Sequence, residues 1–167
     1  MKNNQPVLKI PKTVYEKLID IFSLIIIVLN LIYLINEWST LPDQVPMHFN
    51  AKGEADGWGG RAVIWFLPIV SIFLWSILTT LERVPYIFNF PVKVTEQNAE
   101  RLYKNAQAMS VILKAEIIVF LLYTSWKSVQ VSVGREVGLG ILELPIFLVV
   151  LLGSIAFFRV RLFLKVK

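Results

Sequence analysis

Apolar residues along this chain do not mark one face of amphipathic elements; they collect into four long runs. Residues 18–35 read LIDIFSLIIIVLNLIYLI, 62–81 read AVIWFLPIVSIFLWSILTTL, 108–126 read AMSVILKAEIIVFLLYTSW and 141–158 read ILELPIFLVVLLGSIAFF. A hydrocarbon core about 30 Å thick needs roughly 20 such residues in helical form. A soluble core helix of that length would carry polar residues at 3.6 spacing, whereas these runs are apolar almost all round. Transmembrane strands are excluded, being about ten residues long with alternating polarity. The pattern predicts an all-α integral membrane protein: a four-transmembrane-helix bundle forming a single membrane domain over residues 1–167. A small extracellular hairpin-like cap is expected at 37–61, between the first two helices, and a cytoplasmic connection at 82–107.

Shorter patterns fill the connections. Val45, Met47 and Phe49 alternate with Pro46, His48 and Asn50, a short strand with one apolar face. Residues 50–53, Asn-Ala-Lys-Gly, fit a type I turn, and Asp56-Gly57 signals a second turn. Residues 83–91 are aromatic and interrupted by Pro85 and Pro91, which suits the headgroup level. Thr95 is a good N-cap, Glu96 suits a first turn and Glu100 with Lys104 forms an i,i+4 pair, so a helix should run unbroken from there into the third span. Gly134, Gly138 and Gly140 mark a turn. Pro68 and Pro145 are expected to bend their helices, with Ser71 at hand for a freed carbonyl. Gly153, Ser154 and Ala156 offer a small-residue surface for helix contact.

Composition agrees. The chain is 56% hydrophobic and 17% charged, and it has no cysteine. Soluble domains are nearer 45–50% apolar and about a quarter charged. A disordered chain, a disulfide scaffold, thiol catalysis and an ordinary soluble enzyme domain are therefore excluded. The net charge of +5 is sorted by position. Lys2, Lys9, Lys12, Lys17, Arg83, Lys93, Arg101, Lys104, Arg159, Arg161, Lys165 and Lys167 fall in the tails and the middle connection, against Lys52, Arg61, Lys127 and Arg135 in the other two. The positive-inside rule then puts both termini and the middle connection in the cytoplasm of a multi-pass plasma-membrane protein. Orientation accounts for the basic excess, and nothing calls for a nucleic-acid partner. The first run is longer than a signal-peptide core and is followed by Asn36-Glu37-Trp38 rather than a cleavage site, so it reads as a retained helix. Trp38, Trp58 and Trp65 are expected at the outer interface.

The loop from Leu41 carries a more specific signal. Leu41-Pro42-Asp43-Gln44-Val45-Pro46-Met47-His48-Phe49-Asn50, then Gly53, Glu54 and Asp56-Gly57-Trp58-Gly59, resembles the signature of a small bacterial membrane domain of unknown function. That domain forms the N-terminal part of SdpI-type immunity proteins. The resemblance covers roughly residues 15–85 and rests on Leu41, Pro42, Pro46, His48, Gly53, Asp56 and Gly57. It implies protection from a secreted peptide toxin and signalling to a cytoplasmic repressor. Proteins of that type usually have six spans and a second motif rich in Asn, Gly, Arg and Thr, which has no counterpart here after residue 107.

Candidate chemistry is sparse. His48 is the sole histidine. With Glu54 and Asp56 it could hold a divalent metal or polarise a ligand; alternatively it bonds Asp56 or backbone groups and fixes the hairpin. Three or four ligands at recognised spacings, such as HExxH, are lacking. Ionisable residues within a span cost about 2.5–3.5 kcal/mol at its centre. Lys114 lies toward the cytoplasmic end and is expected to snorkel. Glu116, nearer the midplane, should face the bundle and bind a cation, a proton or a ligand group, or else make an interhelical hydrogen bond, with Asn30 as a candidate partner. Glu143 lies within reach of Lys127, and Asp20 is expected at the interface. No nucleophile–base pair or phosphate loop supports an enzyme.

Three functions follow. One is an immunity or accessory protein whose cap (Leu41, Pro42, Pro46, His48, Gly53, Glu54, Asp56, Gly57, Trp58) recognises an extracellular peptide toxin or a lipid-borne ligand. The second is a membrane metalloprotein or enzyme using His48, Glu54 and Asp56. The third is a subunit of a transporter or other assembly, working through Glu116 with a membrane partner or a second copy. No cofactor other than that candidate metal is expected.

Overall fold

The computed structural model describes residues 5–164; Lys2, Lys165 and Lys167 of the basic tails lie outside them. Helix α1 (Val14–Glu37) leads into a hairpin of β1 (Gln44–Phe49) and β2 (Ala55–Gly60). A 3₁₀ turn (Arg61–Trp65) opens α2 (Phe66–Leu81), and a second short one (Pro85–Ile87) precedes α3 (Glu96–Ser132) and α4 (Glu143–Leu164). Among the described residues four helices are long and apolar enough to cross a membrane. The only sheet among the described residues is the two-stranded antiparallel pair.

Caps set the helix starts. Thr13 and Glu16 form a reciprocal capping box: Glu16 Oε2 accepts from Thr13 N at 2.6 Å and Thr13 Oγ1 from Glu16 N at 3.3 Å. Asn98 Oδ1 accepts from Thr95 N at 2.8 Å, and α3 then runs unbroken for 37 residues. At 1.5 Å per residue that is about 55 Å, well beyond a hydrocarbon core. Pro68 and Pro145 each occupy the third position of an α-helix. For Pro145, at the start of α4, the missing N–H costs no helical bond, whereas Pro68 follows directly on the 3₁₀ turn. Ser71 Oγ bonds Leu67 O at 2.8 Å, one turn back.

Helix α3 is the hub; α1, α2 and α4 each pack against it, and α4 against nothing else to a comparable extent. Three layers stack along it. Leu34, Leu41, Val45, Ile64 and Val129 pack at the hairpin end. Ile27, Ile118 and Leu122 pack in the middle. Ala99, Leu102 and Tyr103 pack at the opposite end with Leu8, Ile10, Tyr86 and Leu162. The outer surfaces are apolar: Ile25, Val28, Leu29 and Ile32 of α1 are exposed, while the buried stripe of that helix holds Glu16, Ser23 and Asn30. Polar groups inside and bare hydrocarbon outside is the arrangement of a helix bundle solvated by lipid.

The hairpin departs from the sequence reading at two points. Asp56-Gly57 is not a turn but lies within β2, opposite a bulge at His48. A Cβ on Gly57 would come 2.9 Å from His48 Cβ, so the glycine serves strand-to-strand approach. The same bulges break the alternation of β1: Val45 and Pro46 are both buried, and Met47 is exposed.

Candidate functional site

The hairpin is closed by residues 50–53. Gly53 N donates to Asn50 O at 2.9 Å, and Asn50 Oδ1 accepts from Lys52 N at 2.8 Å and Glu54 N at 3.1 Å. Gly53 sits at φ +78°, a left-handed conformation that glycine adopts without strain. It is also where the hairpin meets the connection between α3 and α4. Leu139 N donates to Gly53 O at 2.7 Å, Glu54 bridges to Gly138, and a Cβ on Gly53 would fall 2.6 Å from Gly140 O. Sequence reasoning missed this docking; a run of glycines in each of two loops that share one end of the bundle was its only trace.

Beneath this roof lies a cavity of about 260 Å³. Residues 46–51 cover it; Val63, Ile64, Phe66 and Leu67 form one wall, Phe120, Thr124, Ser125 and Ser128 of α3 the floor, and Leu139, Gly140 and Leu144 the far side. Most helical hydroxyls of this chain bond the carbonyl one turn back, as Ser128 Oγ does with Thr124 O at 2.9 Å. Ser125 Oγ instead donates to Asn30 Oδ1 at 3.2 Å, while Asn30 Nδ2 donates to Leu122 O. Thr124 Oγ1 is buried without a hydrogen-bond partner. The cavity is thus apolar with one unspent hydroxyl in its lining, a chemistry suited to a hydrocarbon or aromatic group carrying a single polar atom.

At the rim, His48 Nδ1 and Asp56 Oδ1 lie 2.5 Å apart, both largely exposed. With Nδ1 donating, Nε2 is left as an acceptor toward the outside. Glu54 does not join them: its Oε2 accepts from Asn50 Nδ2 at 2.9 Å, inside the turn. Among the described residues no group of three or more His, Asp or Glu is placed to hold a metal. Leu41 is buried in the core layer, whereas Pro42 and Trp58 are exposed. Trp38 and Trp65 pack at 5.9 Å between centroids, with the Arg61 guanidinium 4.9 Å over Trp38.

Residues 25–72 match the family model described as "Domain of unknown function (DUF1648)". The match spans the second half of α1, the whole hairpin and the start of α2. An "Uncharacterized protein" of the archaeon Archaeoglobus fulgidus is 31% identical over 111 residues, covering 56% of this chain and 61% of its own length. The chain thus spans about three fifths of that relative. No solved structure matches it. The chain is thus a protein with helices suited to a membrane and a segment, residues 25–72, similar to that domain.

The opposite end of the bundle holds a charge quartet. Lys114 Nζ lies 2.8 Å from Asp20 Oδ1 and 2.9 Å from Glu82 Oε1, and it donates to Thr79 Oγ1 at 2.8 Å. Lys12 bonds Asp20 and, at 2.5 Å, Glu82 Oε2. Burial works against the Lys12 ammonium, but its hydrogen bonds to Asp20 and Glu82 outweigh this and hold its pKa above the ordinary lysine value. Two expectations are corrected here. Lys114 does not snorkel; it is fully buried because two carboxylates converge on it. Asp20 is not a simple interfacial residue but one arm of the quartet. Glu116 pairs with Ser154 rather than Asn30: Ser154 Oγ donates to its Oε1 at 2.5 Å. Lys127 Nζ is 4.0 Å from Glu143, as its position suggested, and nearer Glu136 at 3.1 Å.

Proposed function

We propose that this chain is a plasma-membrane immunity or accessory protein that captures the apolar part of an extracellular peptide or lipid-borne ligand beneath its hairpin. The hairpin faces outward and the termini face the cytoplasm, an orientation supported by the basic residues gathered in the tails and the middle connection. The observation that carries the reading is the roofed apolar cavity with the unpartnered Thr124 hydroxyl in its lining. The mouth lies at the end of the bundle, where a hydrophobic peptide approaching from outside arrives first. His48 and Asp56 supply a polar rim that orients it, and the resemblance of the loop to SdpI-type proteins supports protection from a secreted toxin as the benefit.

The test has two arms. Cells expressing the protein are challenged with a panel of secreted membrane-active peptides, and a photo-cross-linking residue at Met47 is used to capture whichever peptide is neutralised. Leu67→Trp, which fills the cavity, and the pair His48→Ala and Asp56→Ala should lower protection and cross-linking at unchanged membrane level. Equal protection by wild type and Leu67→Trp, or no protection from any peptide, overturns the proposal.

A further inference from the structure

The α3–α4 face carries a second, separate feature. A groove of about 510 Å³ runs between these helices, open along one side and sharing only Phe120 with the hairpin cavity. Its walls are hydrocarbon and aromatic, with Phe120 and Phe147 stacked at 4.0 Å and 12°. Two carboxylates interrupt it. Tyr123 donates to Glu143 Oε1 at 2.5 Å, Ser154 donates to Glu116 Oε1, and the second oxygen of each carboxylate is buried without a partner. The two residues that carry these bonds on α3, Glu116 and Tyr123, are about 10 Å apart along the helix axis. Glu143 has Lys127 nearby. Glu116 has no cation in contact with it among the described residues, and it sits in the middle of a span.

An apolar trough with an acceptor that lacks a donor, in a medium without water, is complementary to one kind of occupant. We infer that the groove binds a lipophilic primary amine in its ammonium form. The N–H groups would satisfy Glu116 Oε2, the charge would offset the carboxylate, and the alkyl or aryl body would lie along Val119, Phe120, Phe147 and Val150. The requirement for N–H donors separates this class from quaternary ammonium compounds, which carry the charge but cannot donate. The site is independent of the hairpin cavity, so either can fail without the other.

The experiment measures radiolabelled dodecylamine bound to the protein in lipid nanodiscs, with empty discs subtracted. Wild type and Glu96→Gln, a charge control outside the groove, should show the same saturable component. Glu116→Gln keeps the Ser154 bond but removes the charge and should weaken binding at least about tenfold, the loss expected for one charge-assisted hydrogen bond. Val150→Trp fills the groove without touching either carboxylate and should abolish binding. Dodecyltrimethylammonium should not compete. The inference is overturned by the absence of a saturable component, by equal affinity in Glu116→Gln, or by equal competition from the quaternary compound. It is overturned too if a photo-cross-linker at Val119 captures a second copy of the chain and amine does not displace it.

Discussion

Replacing Lys114 by Met should be the most damaging single change at the end of the bundle opposite the hairpin. The quartet of Lys12, Asp20, Glu82 and Lys114 is neutral as a group, and the side chains of Glu82 and Lys114 are wholly buried. Met keeps the length and the hydrocarbon of Lys114 but deletes its ammonium. Asp20 and Glu82 are then left sharing Lys12 alone, with one uncompensated negative charge and an empty bond at Thr79. Removing one partner from a buried ion pair costs about 3–5 kcal/mol. At roughly 2–4 °C per kcal/mol for a chain of this size, the thermal midpoint in detergent should fall by about 10 °C. Lys104→Met breaks an exposed pair with Glu100 and should leave the midpoint unchanged. The decisive measurement is the double variant Lys114→Met with Glu82→Gln, which restores neutrality. It should recover a large part of the loss, a coupling that a double-mutant cycle reads directly. If the two losses add, or if Lys114→Met melts like Lys104→Met, the quartet is not a coupled unit and the reasoning fails.

Three further outcomes follow from the same geometry. Gly53→Ala places a Cβ 2.6 Å from Gly140 O in a left-handed backbone, so the hairpin should undock from the α3–α4 connection; limited proteolysis within residues 134–140 should speed up severalfold while the helical circular dichroism stays constant. The pKa of Lys12 is raised above 10.5, so its stabilisation is complete below that value and lost as pH rises through the higher one. The melting point should stay level up to about pH 10 and decline beyond it, and Lys12→Met should be less stable throughout with a shallower alkaline decline. Ser125→Ala removes the donor to Asn30 Oδ1 and should cost only about 0.6 kcal/mol by reversible unfolding, the average for interhelical bonds in a bundle.

Most of the architecture was legible because lipid imposes a simple rule on composition. A run such as 18–35 can satisfy its backbone in hydrocarbon only as a helix, so four runs announce four helices whatever their packing. The continuous helix from Thr95 was legible for a local reason, since a cap and an i,i+4 pair are read within one turn. The Asn50 turn was legible for the same reason. What failed depended on rotation and register. Lys114 looked like a snorkelling lysine because its partners, Asp20 and Glu82, are distant in sequence, and only the relative rotation of three helices turns them inward. Asp56-Gly57 has the composition of a turn, but the Asn50 turn had already fixed the register, which forced those residues into β2. The His48, Glu54 and Asp56 set divided because Asn50 holds Glu54. The sequence marked the groove carboxylates Glu116 and Glu143 as unusual, but not that each would keep one bare oxygen.

Two groups of buried polar residues differ in a way that bears on where function lies. The quartet is balanced, with charges that cancel, and it ties the N-terminal segment, α1, α2 and α3 together; such a group resists change and fits a structural anchor. The Thr124 hydroxyl and the second oxygens of Glu116 and Glu143 are the opposite, buried groups whose bonding capacity is unspent. In a lipid medium an unspent polar group costs stability unless something arrives to use it. Each of these groups lies on a cavity or groove flanked by α4, a helix whose most apolar stretch is only 6% buried and which is held chiefly through α3. The three firmly packed helices supply the rigid frame, and the weakly packed fourth borders both places where a ligand would fit.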